Sequence, residues 1–206
     1  MLLNGTGPAP DPRPAAPSDW VLRWAPVAAP PGACVLDLAC GRGRHALALA
    51  ARGAHVVAVD RDARVLEALR EAAAAPLPAV DAARGPGQPA GTLAVEQADL
   101  EGEAWPLAGR TFDAVIVTNY LWRPRFDALL ATVAPGGWLV YETFADGQQA
   151  LGRPSRPEFL LQPRELLARL PAPAWHVAAY EHLRLAGPDR IVQRVAARRG
   201  DLPGPG

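Results

Sequence analysis

At 206 residues, with 50% hydrophobic and 20% charged residues, the chain has the length and composition of one soluble domain with a substantial core. Basic and acidic residues balance at 21 each and every basic residue is arginine, so no global positive field favours nucleic acid as a partner. No apolar run approaches the roughly 18 residues that read as a membrane span. Met1-Leu2-Leu3-Asn4 is followed by prolines rather than a signal-peptide core. A cytoplasmic protein, monomeric or weakly dimeric and without a membrane partner, is expected.

Residues 1–17 carry Pro8, Pro10, Pro12, Pro14 and Pro17 and are expected to form a disordered tail, as are residues 200–206. Ser18 can cap a short helix that places Trp20 and Trp24 on one face and that Pro26 ends. Those tryptophans either close over a ligand or pack on the sheet. Residues 34–38 are an apolar run holding one acid, the pattern of a buried parallel strand. Gly41 and Gly43 then permit a tight turn, and the alanine- and leucine-rich stretch 44–52 predicts a helix capped by Gly53. Cys34 and Cys40 flank the strand too far apart to bridge, and are read as buried free thiols.

A second strand runs over 55–60, and Asp62 caps a helix whose Val65, Leu66 and Leu69 form one apolar stripe. Residues 76–91, with four prolines and three glycines, read as a surface loop. Strands follow over 92–98, ending at Asp99, and over 111–118. Pro124 opens a helix with Phe126, Leu129, Leu130 and Val133 at helical spacing, and Ala134-Pro135-Gly136-Gly137 stops it before a strand over 138–144. A further helix from Pro163 buries Leu166, Leu167 and Leu170. Strands over 175–185 and 191–197 are joined through Ala186-Gly187-Pro188-Asp189, a connection so short that it allows only an antiparallel hairpin. The whole predicts an α/β, Rossmann-like, doubly wound and mostly parallel seven-stranded sheet with a C-terminal antiparallel hairpin, over residues 18–199.

The strand, glycine turn and helix at 34–52 place backbone N–H groups around a pocket at a helix N-terminus. Gly41-x-Gly43-x-x-Ala46 satisfies the dinucleotide fingerprint in its alanine-ended form, with Asp60 seventeen residues beyond Gly43. NAD is one reading. Asp37, just ahead of the turn, would crowd a pyrophosphate but suits a ligand carrying an ammonium group. Asp37, Asp60 and Asp99 fall at three consecutive strand ends, where ligands of open parallel sheets sit. A carboxylate accepts only, and pairs with two hydroxyls or with an amino group.

Val35-Leu36-Asp37-Leu38-Ala39-Cys40-Gly41-x-Gly43 resembles motif I of the class I S-adenosylmethionine-dependent methyltransferases, with Ala39 where that motif usually has glycine. Phe112-Asp113-Ala114-Val115 with Thr118-Asn119-Tyr120 resembles the family's fourth motif, and Ala134-Pro135-Gly136-Gly137-Trp138-Leu139 its turn before the fifth strand. The resemblance implies S-adenosyl-L-methionine as cofactor. The turn residues Ala39, Gly41, Gly43 and Arg44 would line it, Asp37 would lie near its methionine part, and Asp60 with Arg61 at its ribose. Asp99 and Leu100 would meet its adenine, and Asn119 its methyl. Gly43-Arg44-His45, Phe159-Leu160-Leu161, Glu165-Leu166-Leu167 and Tyr180-Glu181 loosely resemble the tellurite-resistance-type branch of small methyltransferases.

The acceptor implied is a small molecule, a soft or anionic nucleophile such as a thiol or a selenium or tellurium species. It attacks the sulfonium methyl in line, with the protein aligning the reactants. Should the acceptor need a base, Tyr120 and Glu142 are the candidates. Arg123 and Arg153 are candidates to bind an anionic acceptor, with Arg125 and Arg156 nearby, against the plainer reading of solvated loop arginines. His45 is read as packing at the helix start, and His176 and His182 as structural. No Cys/His pair has zinc spacing and no serine sits in a nucleophile elbow. Rival readings are an NAD-dependent oxidoreductase, an RNA or protein methyltransferase, and a non-catalytic cofactor-binding module.

Overall fold

A computed structural model describes residues 16–74 and 91–201. Seven strands form one sheet in the order β3-β2-β1-β4-β5-β7-β6. They are β1 (Cys34–Leu38), β2 (His55–Asp60), β3 (Thr92–Gln97), β4 (Phe112–Thr118), β5 (Val133–Phe144), β6 (Trp175–Leu185) and β7 (Arg190–Arg199). The first five pair in parallel, while β7 runs antiparallel to both β5 and β6. The sheet therefore has the predicted architecture: β6 and β7 are the hairpin, inserted so that β7 lies against β5. Strand order reverses between β1 and β4, which opens a crevice at the carboxyl ends of those two strands.

The period of two along each strand divides the core between two faces. Val35, Val56, Ala114, Ile116, Val140 and Ala196 pack on one face under α1 (Asp19–Ala28), α2 (Arg44–Ala51) and α3 (Ala63–Ala74). Leu36, Leu38, Val115, Val117, Leu139 and Tyr141 pack on the other, under α4 (Phe126–Ala131) and α5 (Glu165–Ala168). The same alternation aims Asp37 and Glu142 at the α1–α2 face, since each is one residue from a side chain on the other.

Several boundaries differ from expectation. Pro26 lies inside α1, which continues to Ala28 because the missing N–H costs one bond near the helix end while Ala25, Ala28 and Ala29 are buried. Ala134-Pro135-Gly136-Gly137 is part of β5 rather than a stop, and its register with β4 shifts at a bulge between Phe112 and Ala114. Gly137 is required there, because a Cβ would meet the carbonyl oxygens of Ala134 and Asp113 at 2.9 Å. Val133 thus belongs to β5, and α4 is correspondingly short. The helix expected from Pro163 is the single turn α5, with Leu166 and Leu170 buried and Leu167 only half-buried. Cys34 is exposed at the start of β1, contrary to its reading as a core thiol, while Cys40 is buried. Asp62 caps α3 as expected, accepting from the Arg64 N–H at 2.9 Å.

The tryptophans of α1 pack on the sheet. Trp20 is 1% exposed and donates its indole N–H to the Val195 carbonyl, and Trp24 bridges Trp20 and Trp138 at centroid distances of 5.9 and 5.6 Å. The tail residues 1–15 and 202–206 and most of the predicted loop, residues 75–90, lie outside the described residues. No described helix is long and apolar enough to cross a membrane.

Candidate functional site

The turn after β1 is a cradle built from left-handed backbone. Ala39 has φ 55°, Gly41 54° and Gly43 72°. The two glycines are needed for different reasons. A Cβ on Gly43 would lie 2.3 Å from Cδ1 of Leu69, so this glycine admits α3. A Cβ on Gly41 would meet nothing among the described residues within 4 Å; it would point into the space above the turn, where a ligand's atoms fit. Ala39 holds the same handedness with a side chain, a strain of order 1 kcal/mol that concentrates at functional sites.

Two carboxylates fix this turn. Asp60, at the end of β2, accepts from the Gly41 N–H at 2.8 Å and from the Asp62 N–H at 3.0 Å. Asp37 is 1% exposed and accepts from the Ala46 N–H in the first turn of α2 at 2.9 Å. Burial pushes its pKa up to about 7, opposed by that N–H and by Arg44, with the nearby Asp60 charge raising it further. Burial, followed by the charges of Asp37 and Asp60, also raises the Cys40 thiol and keeps it protonated.

Beside the cradle is a cavity of about 130 Å³ lined by Ala39, Asp60, Arg61, Leu100, Glu101 and Tyr120. Asp99 shapes its far wall by accepting from the Glu101 N–H at 2.9 Å, and Arg61 spans the rim to Glu101 at 2.9 Å. The Tyr120 hydroxyl is buried with no hydrogen-bond partner among the described residues. Burial first, then the Glu101 and Asp99 charges, raises its pKa, so the phenol stays a donor. Asn119, with φ 54°, donates its N–H to the Glu142 carbonyl at 2.9 Å and follows β4 in a second left-handed turn, on the strand that pairs in parallel with β1.

On the other face, the Glu142 carboxylate is 3% exposed. It accepts from the Ser18 hydroxyl at 2.9 Å and from Arg194 at 3.2 Å, and Arg194 also pairs with Glu181. His45 is 1% exposed, and burial followed by the Arg44 charge pushes its pKa down to about 3. Arg44 donates to the Ala16 carbonyl at 3.1 Å.

A family model described as a methyltransferase domain matches residues 35–137, half of the 206-residue chain. The chain belongs to that methyltransferase family. A demethylmenaquinone methyltransferase of Clavibacter sepedonicus is 32% identical over 164 residues, covering 77% of this chain and 58% of that one. TehB from Haemophilus influenzae superposes with a TM-score of 0.64 at 19% identity, covering 87% of this chain and 61% of its own. An S-adenosylmethionine-dependent methyltransferase from Methanosarcina mazei also gives 0.64, at 14% identity, covering 90% and 99%. The chain thus spans about three-fifths of the first two proteins.

The cofactor of this methyltransferase class is S-adenosylmethionine, and the residues present fit it. Among the described residues, open space lies above Gly41, a buried phenol beside it lacks a partner, and acceptor-only carboxylates stand at adjacent strand ends. Asp37, Ala39, Gly41, Gly43, Arg44, Asp60, Arg61, Asp99, Leu100 and Asn119 all fall along the carboxyl edge of β1 to β4. The acceptor-side candidates do not gather in the same way.

Tyr120 is not a base: it stays protonated, and it lines the cavity with Asp60 and Leu100 rather than a separate acceptor pocket. Glu142 does not face Tyr120, because its side chain lies on the opposite face of the sheet, already held by Ser18 and Arg194. Arg123 is not free for an anion. It chelates Glu165 at 2.7 and 2.8 Å and donates to the Glu158 and Leu160 carbonyls, both at 2.7 Å. Arg125 donates to the Gly102 and Glu103 carbonyls, and Arg156 pairs with Glu158. Arg153 is exposed, and among the described residues only its carbonyl is engaged, by Gln148. Sequence reading missed the network joining Ser18, His45, Thr118, Glu142 and Arg194. The lone serine before the helix, read only as a cap, was its one visible sign.

Proposed function

We propose that the chain is an active S-adenosylmethionine-dependent methyltransferase whose acceptor is a small molecule needing no general base from the protein. Such an acceptor is soft, like a thiol, selenide or telluride, or reaches the site already ionised. The observation that carries this reading is the commitment of three ionisable side chains near the β4–β5 edge, those of Tyr120, Glu142 and His45. The Tyr120 phenol is held protonated, the Glu142 carboxylate is occupied by Ser18 and Arg194, and the His45 imidazole is buried and neutral. A hydroxyl or amine acceptor would find none of these three free to take its proton.

The cofactor, when bound, supplies the methyl group on an electrophilic sulfonium. The chain's own residues hold and orient it. Asp60 and Asp99 would take hydroxyl and amino donors, and Tyr120 would donate its spare hydrogen. The N–H-rich turn at 41–44 and the buried Asp37 would face its charged end. Leu100, 4% exposed, gives the cavity an apolar wall. Catalysis then rests on alignment and exclusion of water.

A screen with methyl-labelled cofactor tests this reading, using thiols, chalcogen oxyanions, small amines, reduced demethylmenaquinone and bulk tRNA as acceptors. Transfer to the thiol or chalcogen acceptors supports it, while transfer only to amines or tRNA would refute it. A second reading, methylation of a quinone-type acceptor, is favoured by the 32% identity to the demethylmenaquinone enzyme. Transfer to that member of the panel alone would establish it.

A further inference from the structure

The chain enters α1 across the cradle, and three contacts hold it there. The Ser18 N–H donates to Nε2 of His45 at 3.0 Å, the Ser18 hydroxyl donates to Glu142 at 2.9 Å, and the Ala16 carbonyl accepts from Arg44 at 3.1 Å. A backbone N–H can only donate, so Nε2 of His45 carries the lone pair and Nδ1 the hydrogen. Nδ1 lies 3.4 Å from the Thr118 hydroxyl, which is therefore the acceptor of that contact. With its pKa near 3, the imidazole keeps this tautomer throughout the neutral range.

One side chain thereby touches three elements. His45 is the second residue of α2, in the turn that continues the cradle, and Thr118 is the last residue of β4, directly before the strained Asn119. Ser18 belongs to the strap of residues 16–18. Packing a helix start needs only volume, which alanine or leucine would supply. An imidazole with both nitrogens engaged fixes direction as well.

We propose that His45 is a positioning residue of the cofactor site, locking the α2 turn, the end of β4 and the strap at 16–18 into one unit. Docking of the strap and occupancy of the cradle then favour each other. This rests on the cofactor reading above. Linkage makes the coupling reciprocal: whatever steadies the strap tightens the cofactor, and the cofactor steadies the strap.

The test uses the full chain with S-adenosylhomocysteine, following affinity by calorimetry and the amides of residues 16–24 by hydrogen exchange. If the wild type fails to bind, the cofactor reading itself falls. If it binds, the amides at 18–20 should gain protection. Ser18→Pro removes the N–H donor and the hydroxyl together, at a residue whose φ of −63° already suits proline. Ser18→Ala removes the hydroxyl alone, and His45→Leu removes both imidazole bonds while filling the space. Ser18→Pro and His45→Leu should weaken binding about tenfold and abolish the ligand-dependent protection, with Ser18→Ala close to wild type. Melting of the ligand-free variants checks the fold, and Ser18→Pro decides alone if His45→Leu does not fold. Affinity within about twofold of wild type in folded Ser18→Pro would overturn the proposal, being below the usual range of site coupling. Equal losses in Ser18→Ala and Ser18→Pro would also overturn it, by assigning the effect to the hydroxyl, which donates to Glu142 and caps α1 by accepting from the Trp20 N–H.

Discussion

The two halves of the crevice are built on different principles. On the β1–β3 side, polar groups are held by local backbone. Asp60 is fixed by two N–H groups within its own turn and the next, and Asp99 by one two residues on. Each keeps acceptor capacity to spare. On the β4–β5 side, polar side chains are consumed by partners far away in sequence: Arg123 by Glu165, and Glu142 by Ser18 and Arg194. One half is prepared to bind, and the other is prepared to stay rigid. This division suits the proposed reaction, in which the cofactor brings the reactive group and an acceptor needing no base is aligned against it.

The most damaging substitution on the binding side should be Gly41→Val. It forces a branched residue to φ 54° and fills the open space above the turn, so binding of S-adenosylhomocysteine should fall below detection by calorimetry while the fold survives. Normal binding by the folded variant would remove the cradle from the site.

Asp60→Ala and Arg123→Ala separate the halves directly. The first should cost about 1.5–3 kcal/mol of cofactor affinity, the range for hydrogen bonds to a charged group, and it also leaves the Gly41 N–H without its acceptor. The second should leave that affinity unchanged but cost about 2 kcal/mol of stability in denaturant melts, less than a fully buried pair because the arginine is partly exposed. An Arg123→Ala variant that stays fully stable and loses only turnover would return Arg123 to the acceptor site.

A pH dependence tests Asp37. Asp37 has a folded pKa of about 7 against 3.8 for the free group, so between those values the folded state binds more protons than the unfolded one. Stability of the ligand-free protein should fall as pH rises from about 4 to about 7 and then level off. Cofactor affinity should move the opposite way, rising through pH 7 as the carboxylate becomes available to the ammonium group. Asp37→Asn should flatten both curves. A cofactor affinity independent of pH in the wild type would detach Asp37 from the ligand.

The same division explains what could be read from the sequence. The cradle, its three acids and the sheet topology are local: each is a few residues of strand, turn and helix, or a connection too short for a crossover. Gly41 and Asp60 could be found because their roles depend on backbone geometry close by. The roles of Arg123 and Glu142 depend on residues 42 and 124 positions away. Nothing in the spacing around Arg123 distinguishes an anion ligand from one end of a clamp. The orphaned Tyr120 hydroxyl was hidden for the same reason, since its place in the cavity is set by β2 and the 99–101 turn. The misplaced start of β5 has another cause: Pro135, Gly136 and Gly137 signal a break, yet a bulge between the central strands β4 and β5 accommodates them.

The ladder of Trp20, Trp24 and Trp138 has a practical consequence. Three indoles within 6 Å centroid steps of one another, two of them on the helix that Ser18 begins, form a coupled chromophore on the α1 side of the sheet. Its near-ultraviolet circular dichroism depends on the relative tilt of the rings, 60° and 33° here. Any reseating of α1 is therefore visible without a label, and the molecule carries its own optical gauge of how firmly that helix is held.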